Sequence, residues 1–130
     1  MIILSIRTDK PEAEIGLFDD HKKLAYHTWQ AHRELAETLH IQIAKNLQSA
    51  SKDWADIEGI IAYKGPGSFT GLRIGLSVAN ALAYSFDCPI VATTGDEWIK
   101  QGITALKDGE SNQIALPEYG SAVNITKPKK

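Results

Sequence analysis

The sequence predicts a single α/β half-domain, a five-stranded mixed sheet with elements in the order β-β-β-α-β-α-β-α. Three observations carry that expectation. The first thirty residues hold three short apolar or alternating stretches separated by polar turns. Helical stripes then alternate with short apolar runs, the pattern of parallel crossovers. At 130 residues the chain has the length of one domain, enough for a real core.

The elements follow in order. Met1 to Thr8 is almost continuously apolar, which suits a central strand buried on both faces. Asp9-Lys10-Pro11 turns the chain, and Glu12 to Leu17 alternates polar and apolar as a half-buried strand does. After the polar turn at Asp19-Asp20-His21-Lys22, Lys23 to Trp29 alternates again, with Leu24, Tyr26 and Thr28 on one face. Short polar turns between three strands predict an antiparallel meander.

A helix is predicted over about Arg33–Gln48, where Leu35, Leu39, Ile43 and Leu47 recur every fourth residue with Ala36 and Ala44 beside them. "SASKDWAD" breaks it, with Trp54 as an apolar anchor. Gly59 to Tyr63 reads as a fourth strand, Thr70 to Asp87 as a second helix and Pro89 to Thr93 as a fifth strand. Thr94 and Glu97 have the spacing of a capping box that opens a last helix to about Leu106. "KDGESNQ" then looks like a linker, so the division is a half-domain over 1–107 and a linker with tail over 108–130. A meander followed by two right-handed α/β steps is the topology of the ribonuclease H-like and actin-like ATPase half-domain. Order of elements argues fold, and function must come from a site.

Composition excludes more than it suggests. A net charge of −2 makes no case for a nucleic-acid binder, and the basic Lys127-Pro128-Lys129-Lys130 reads as a solvated tail. A lone cysteine, Cys88, forms no internal disulfide, fits a reducing cytosol and reads as a packing residue. "MIILSIRTDK" places apolar residues before charged ones, the wrong order for a signal peptide. No apolar run approaches the ~20 residues of a membrane span, so the expectation is a soluble cytoplasmic protein.

"KGPGSFTGLRIG", residues 64–75, raises the question of phosphate binding. Gly65 and Gly67 let backbone N–H groups turn toward a ligand, and the following helix N-terminus favours negative charge. The loop also falls at the carboxyl end of a parallel strand, beside Thr94-Gly95-Asp96, where α/β folds place ligands. Yet no Lys-Ser or Lys-Thr follows the glycines, and Gly65, Gly67 and Gly71 miss the G-x-G-x-x-G spacing by one residue. Gly67, Ser68 and Thr70 remain only weak anion candidates.

The helix after the loop carries a second pattern. Gly71, Gly75, Ala79 and Ala83 form a ridge with almost no side chain, while Ile74, Val78, Ala81, Leu82 and Phe86 supply another apolar face. Glycine within a helix costs ~1 kcal/mol against alanine unless a close backbone approach needs it. Two readings are open. Either the ridge packs on the chain's own sheet, or the two helices also present a surface to another protein chain. The second takes Leu35, Leu39, Ile43, Gly71, Leu72, Gly75, Ala79 and Ala83 as partner interface, and it is the preferred one.

Catalytic constellations are not evident. His32 and His40 stand ~12 Å apart along a helix, too far to share a metal at the usual i, i+4 spacing, and His21 and His27 add no ligand pattern. Asp53, Asp56 and Glu58 suit capping better than metal binding, and Ser68 and Thr70 lack a nucleophile frame. The expectation is no catalytic residue, no metal and no cofactor.

"GPGSFTGLRIGLSVANALAYSFDCPIVATTGDEW" resembles the signature block of the TsaB (YeaZ) family of tRNA threonylcarbamoyladenosine biosynthesis proteins. The match is specific through Gly65-Pro66-Gly67-Ser68-Phe69-Thr70-Gly71 and Arg73-Ile74-Gly75, and looser from Met1 to about Gly102. The resemblance implies an actin-like fold and a non-catalytic scaffold role beside a TsaD-like catalytic subunit, which carries the metal on an H-x-x-x-H pair. It also implies a TsaE-like ATPase subunit that uses the ATP, tRNA contacted indirectly, and an interface on the first two helices.

Two departures from that family stand out. Its first strand commonly ends in Asp-Thr, where this chain has Arg7-Thr8, so a base replaces the acid that actin-like ATPases place near metal and phosphates. Arg7 has Asp9, Asp96 or a bound anion as possible partners, since unpaired burial would cost several kcal/mol. Family members also carry a second lobe after the position matching Gly102, so the expectation is a reduced member lacking most of it; "LPEYGSAVNITKPKK" faintly resembles the family's P-x-Y segment. The rival function is an actin-like ATP-binding enzyme acting as a homodimer, and peptidase activity is a remote third.

Overall fold

β1 (Ile2–Arg7) is the middle strand, and its residues from Ile2 to Ile6 are buried, as an unbroken apolar run requires when both faces are covered. β2 (Glu12–Asp19) and β3 (Lys22–Gln30) fold back from it as an antiparallel meander. β4 (Gly59–Tyr63) and β5 (Ile90–Thr93) join its other side in parallel, giving the order β3-β2-β1-β4-β5. This computed structural model describes residues 1–31, 34–67, 69–112 and 115–116, with Phe69 described by its backbone alone.

α1 (Leu35–Ser49) links β3 to β4, α2 (Phe69–Phe86) links β4 to β5, and α3 (Trp98–Lys107) follows β5. The five-stranded mixed sheet and the element order are those predicted. Period-two alternation divides the sheet between the helices. α1 and α2 pack on the face of Leu4, Ile6 and Thr8, whereas α3 packs on the face of Gly59, Ile61 and Tyr63. A Cβ on Gly102 of α3 would stand 2.6 Å from Ile61 Cγ2, so helix backbone and strand side chain touch directly. Full burial of Leu39 and Ile43 contributes about 2 kcal/mol each by apolar area.

Local details depart from expectation. The structure assigns α1 from Leu35, with His32 and Arg33 outside the described residues. A bulge between Leu17 and Phe18 shifts the β2–β3 register. Farther along the strand Thr28 is exposed, while Trp29, opposite Ala13 and on the other face, reaches α1, its Nε1 donating to Thr38 Oγ1 at 3.1 Å. Thr94 is not the cap of α3. Its hydroxyl donates to the Gly65 carbonyl instead, and α3 begins only after Glu97, which makes no side-chain cap bond. Asp53 does cap a short 3-10 turn at Trp54–Asp56, in a reciprocal box with Asp56. Among the described residues no helix is long and apolar enough to cross a membrane.

Candidate functional site

Two places in the fold could carry function: the carboxyl ends of β1 and β4, and the outer side of α1 and α2. At the strand ends the glycine loop is bound from below and from the side. Lys64 N–H donates to the Thr93 carbonyl at 2.9 Å, and Thr94 holds the Gly65 carbonyl. Gly67 lies against Asp9 so closely that a Cβ there would overlap the aspartate's own Cβ and stand 3.1 Å from its carbonyl oxygen. Thr8 Oγ1 donates to the Gly71 carbonyl at 2.8 Å, tying β1 to the first turn of α2.

Arg7 occupies the adjoining space. Its Nε donates to Asp9 Oδ1 at 2.7 Å and its Nη2 to Oδ2 at 3.2 Å, a two-point pairing on a carboxylate whose side chain is 7% exposed. The guanidinium stacks 3.9 Å above the Tyr63 ring, with Trp98 beyond it at 6.0 Å. Hydrogen bonding to Asp9 raises the Arg7 pKa further, against the opposing effect of burial. Of the partners open to Arg7 in the sequence, the fold selects Asp9.

This arrangement does not fit a nucleoside triphosphate. Asp9 already neutralises the one arginine at the strand ends, and its carboxylate would repel an incoming phosphate. The loop backbone at Gly67 rests on Asp9, so no room is left between them for a ligand oxygen. Of the anion candidates, Gly67 is spent on this packing, Thr70 is exposed on α2, and Ser68 lies outside the described residues.

The predicted interface residues require correction. Leu35, Leu39, Ile43, Leu72, Ala79 and Ala83 are all buried within the chain. Gly75 is buried as well, its Cα facing Thr8, and Gly71 is half-buried, its carbonyl held by Thr8. The small ridge therefore seats α2 on β1 of its own sheet, and the leucine stripe seats α1. A side chain already enclosed cannot meet a partner, so any docking surface must use the other sides of these helices.

The outer side of α2 is unusual in charge. Along the 18 residues of α2 the one charged side chain is Arg73. Its exposed positions include Ser77, Ala81 and Ser85, small residues every fourth place, and Tyr84 at 89% exposure. On α1, Ala36, His40, Ala44 and Gln48 form a corresponding exposed row, with Ile41 at 54% beside it. Trp54 bridges the two helices at one end, stacked on Phe86 with centroids 6.4 Å apart and tilted against His40 at 6.3 Å. Helical periodicity exposes both rows in the sequence, but it does not say which row faces the sheet.

Elsewhere the chemistry is sparse. Among the described residues no group of three His, Cys, Asp or Glu side chains stands close enough to hold a metal. Cys88 is half-buried, and burial, aided by the Asp87 charge, pushes its thiol pKa up, opposite to what a reactive cysteine needs. It lines an open depression of about 460 Å³ with Tyr84, Asp87, Pro89 and Ser111.

Comparison with known proteins gives these features a context. The family model described as "TsaD: tRNA N6-adenosine threonylcarbamoyltransferase" matches residues 29–100. The tRNA threonylcarbamoyladenosine biosynthesis protein TsaB of Escherichia coli (strain K12) is 29% identical over 133 residues, covering 92% of this chain and 55% of that protein. The tRNA N6-adenosine threonylcarbamoyltransferase of Ralstonia pickettii (strain 12J) is 35% identical over 108 residues, covering 71% of this chain and 31% of that one. The chain thus spans between about a third and about half of these relatives. Among solved structures, YeaZ from Pseudomonas aeruginosa superposes with a TM-score of 0.68 at 24% identity, over 83% of this chain and 49% of its own. Thermus thermophilus RuvC, solved with a Holliday junction substrate, gives 0.52 at 12% identity, covering 91% of this chain and 84% of RuvC. These two likenesses place the fold among actin-like and ribonuclease H-like domains.

Proposed function

This chain belongs to the TsaB/TsaD family of tRNA threonylcarbamoyladenosine biosynthesis, and from that premise we propose that it is a non-catalytic scaffold subunit. In this reading α1 and α2 dock on a TsaD-like catalytic subunit through their outer rows, and hold it in an active arrangement. A TsaE-like ATPase joins the wider complex, and tRNA is contacted through the assembly. The observation that carries the reading is the charge-poor exposed side of α2, where small residues flank the exposed Tyr84. The centres of protein interfaces are depleted of charge and enriched in aromatics, which fits the low charge of this side and the exposed Tyr84. The Arg7–Asp9 pair supports the same reading, since the guanidinium at the end of β1 already has a carboxylate partner.

The test is co-purification with the TsaD-type protein of the same organism, with and without nucleotide and tRNA. A complex that survives in the unmodified chain and falls at least tenfold in affinity on Ala81→Glu supports the scaffold role. No complex under any of these conditions sinks it.

A further inference from the structure

β5 is an edge strand, and its outward side belongs to neither place described above. In a parallel ladder alternate residues face one neighbour, so pairing with β4 leaves the N–H and C=O groups of Ile90 and Ala92 directed away from the sheet. Three of these four have a partner beyond α3. Ile90 N–H donates to Ser111 Oγ at 3.4 Å, Asn112 N–H donates to the Ile90 carbonyl at 2.7 Å, and Ala92 N–H donates to Asn112 Oδ1 at 2.7 Å.

Farther along, the Asn80 side chain of α2 grips one backbone unit from both sides. Its Nδ2 donates to the Ala115 carbonyl at 3.0 Å, and its Oδ1 accepts from the Ala115 N–H at 2.7 Å. The Ala115 methyl is seated in the core at 2% exposure, while the next residue, Leu116, is 69% exposed. The segment read from the sequence as linker is thus fastened at Ser111, Asn112 and Ala115.

A strand edge, a side-chain amide that reads a backbone unit and a seat for one small side chain are the parts of a groove for extended peptides. We propose that β5 and Asn80 form such a groove, and that the chain's own Ser111, Asn112 and Ala115 are its resident occupants, held as a strap. Recognition is of backbone, with specificity concentrated at the small residue in the seat. Two of the three edge bonds come from side chains, so the strap covers the edge without extending the ladder. An uncovered edge would offer these groups to any strand that met it. The short connection from Lys107 keeps the strap at an effective concentration on the order of millimolar, so it outcompetes a free segment.

The full chain carrying Ala115→Arg, whose side chain is too large for the seat, tests this by residue-resolved amide exchange. Exchange at Ile90 and Ala92 is expected to rise at least tenfold, with Val91, which faces β4, unchanged. The heptapeptide of residues 110–116, added at millimolar concentration, restores both rates to within about twofold, and the same peptide carrying Ala115→Arg does not. Unchanged exchange at Ile90 and Ala92 overturns the strap. Raised exchange that the peptide fails to restore overturns the groove. Should the variant not fold, Asn112→Ala removes one bond from an exposed residue, and exchange at Ala92 alone must rise; an unaltered rate there overturns the proposal equally.

Discussion

Gly75 and Thr8 are in direct contact: a Cβ on the glycine would overlap Thr8 Oγ1 and stand 3.0 Å from Thr8 Cβ, while that hydroxyl donates 2.8 Å to the Gly71 carbonyl. Helix and strand meet here backbone to side chain, which explains a glycine inside a helix. Gly75→Ala sets overpacking of 1–3 kcal/mol against a helix-propensity gain of ~1, for a net loss of up to about 2 kcal/mol. Urea denaturation is expected to show that loss, and a smaller one in a Thr8→Ala background where the hydroxyl is gone. Additive losses in the double variant would disprove the contact's role.

Ala79 and Ala81 are two residues apart on α2 and face opposite environments, one fully buried and one exposed. Ala79→Glu places an unpaired carboxylate in the core and is expected to unfold the domain, seen as loss of the cooperative thermal transition. Ala81→Glu is expected to alter stability by no more than about 0.5 kcal/mol while abolishing co-purification with the TsaD-like subunit. If Ala81→Glu folds and still binds, the outer row of α2 is not the docking surface.

The Arg7–Asp9 pair is largely enclosed, with side-chain exposures of 20% and 7%. Removing one partner strands the other's charge, so Arg7→Ala is expected to cost about 3 kcal/mol, the lower end for a buried pair. Arg7→Ala with Asp9→Asn should cost clearly less than the two single losses together. Denaturant midpoints of the four proteins give the coupling directly. Full additivity would mean that the pair does not act as a unit.

Cys88 supplies a pH-dependent readout. Burial, and secondarily Asp87, raises its pKa from the reference value of 9.0, so the folded chain favours the neutral thiol. Its contribution to stability is therefore complete below that value and declines as pH rises through the folded pKa. Alkylation by iodoacetamide at pH 8 is expected to be slower than for a free thiol, with a midpoint above 9.0. Asp87→Asn, at a left-handed position that asparagine tolerates, should lower that midpoint. A midpoint at or below the reference value contradicts the environment described.

Sequence by itself determined the elements and their order, because period two, period four and the polar turns are local signals. The resemblance through Gly65–Gly75 carried the family in the same way, and the block 29–100 agrees with it. Arg7 was recognisable as a base needing a partner, and its partner two residues away was within local reach. Tertiary structure alone decided which side of α2 faces inward. The ridge of Gly71, Gly75, Ala79 and Ala83 and the outer row of Ser77, Ala81 and Ser85 share the same helical period. What separates them is Thr8, more than sixty residues earlier in the chain, brought under Gly75 by the pairing of β1 with β4. The hold of Asn80 on Ala115 spans 35 residues and likewise has no local signature. Periodicity reports that a face exists; only the packing of distant segments says what that face touches.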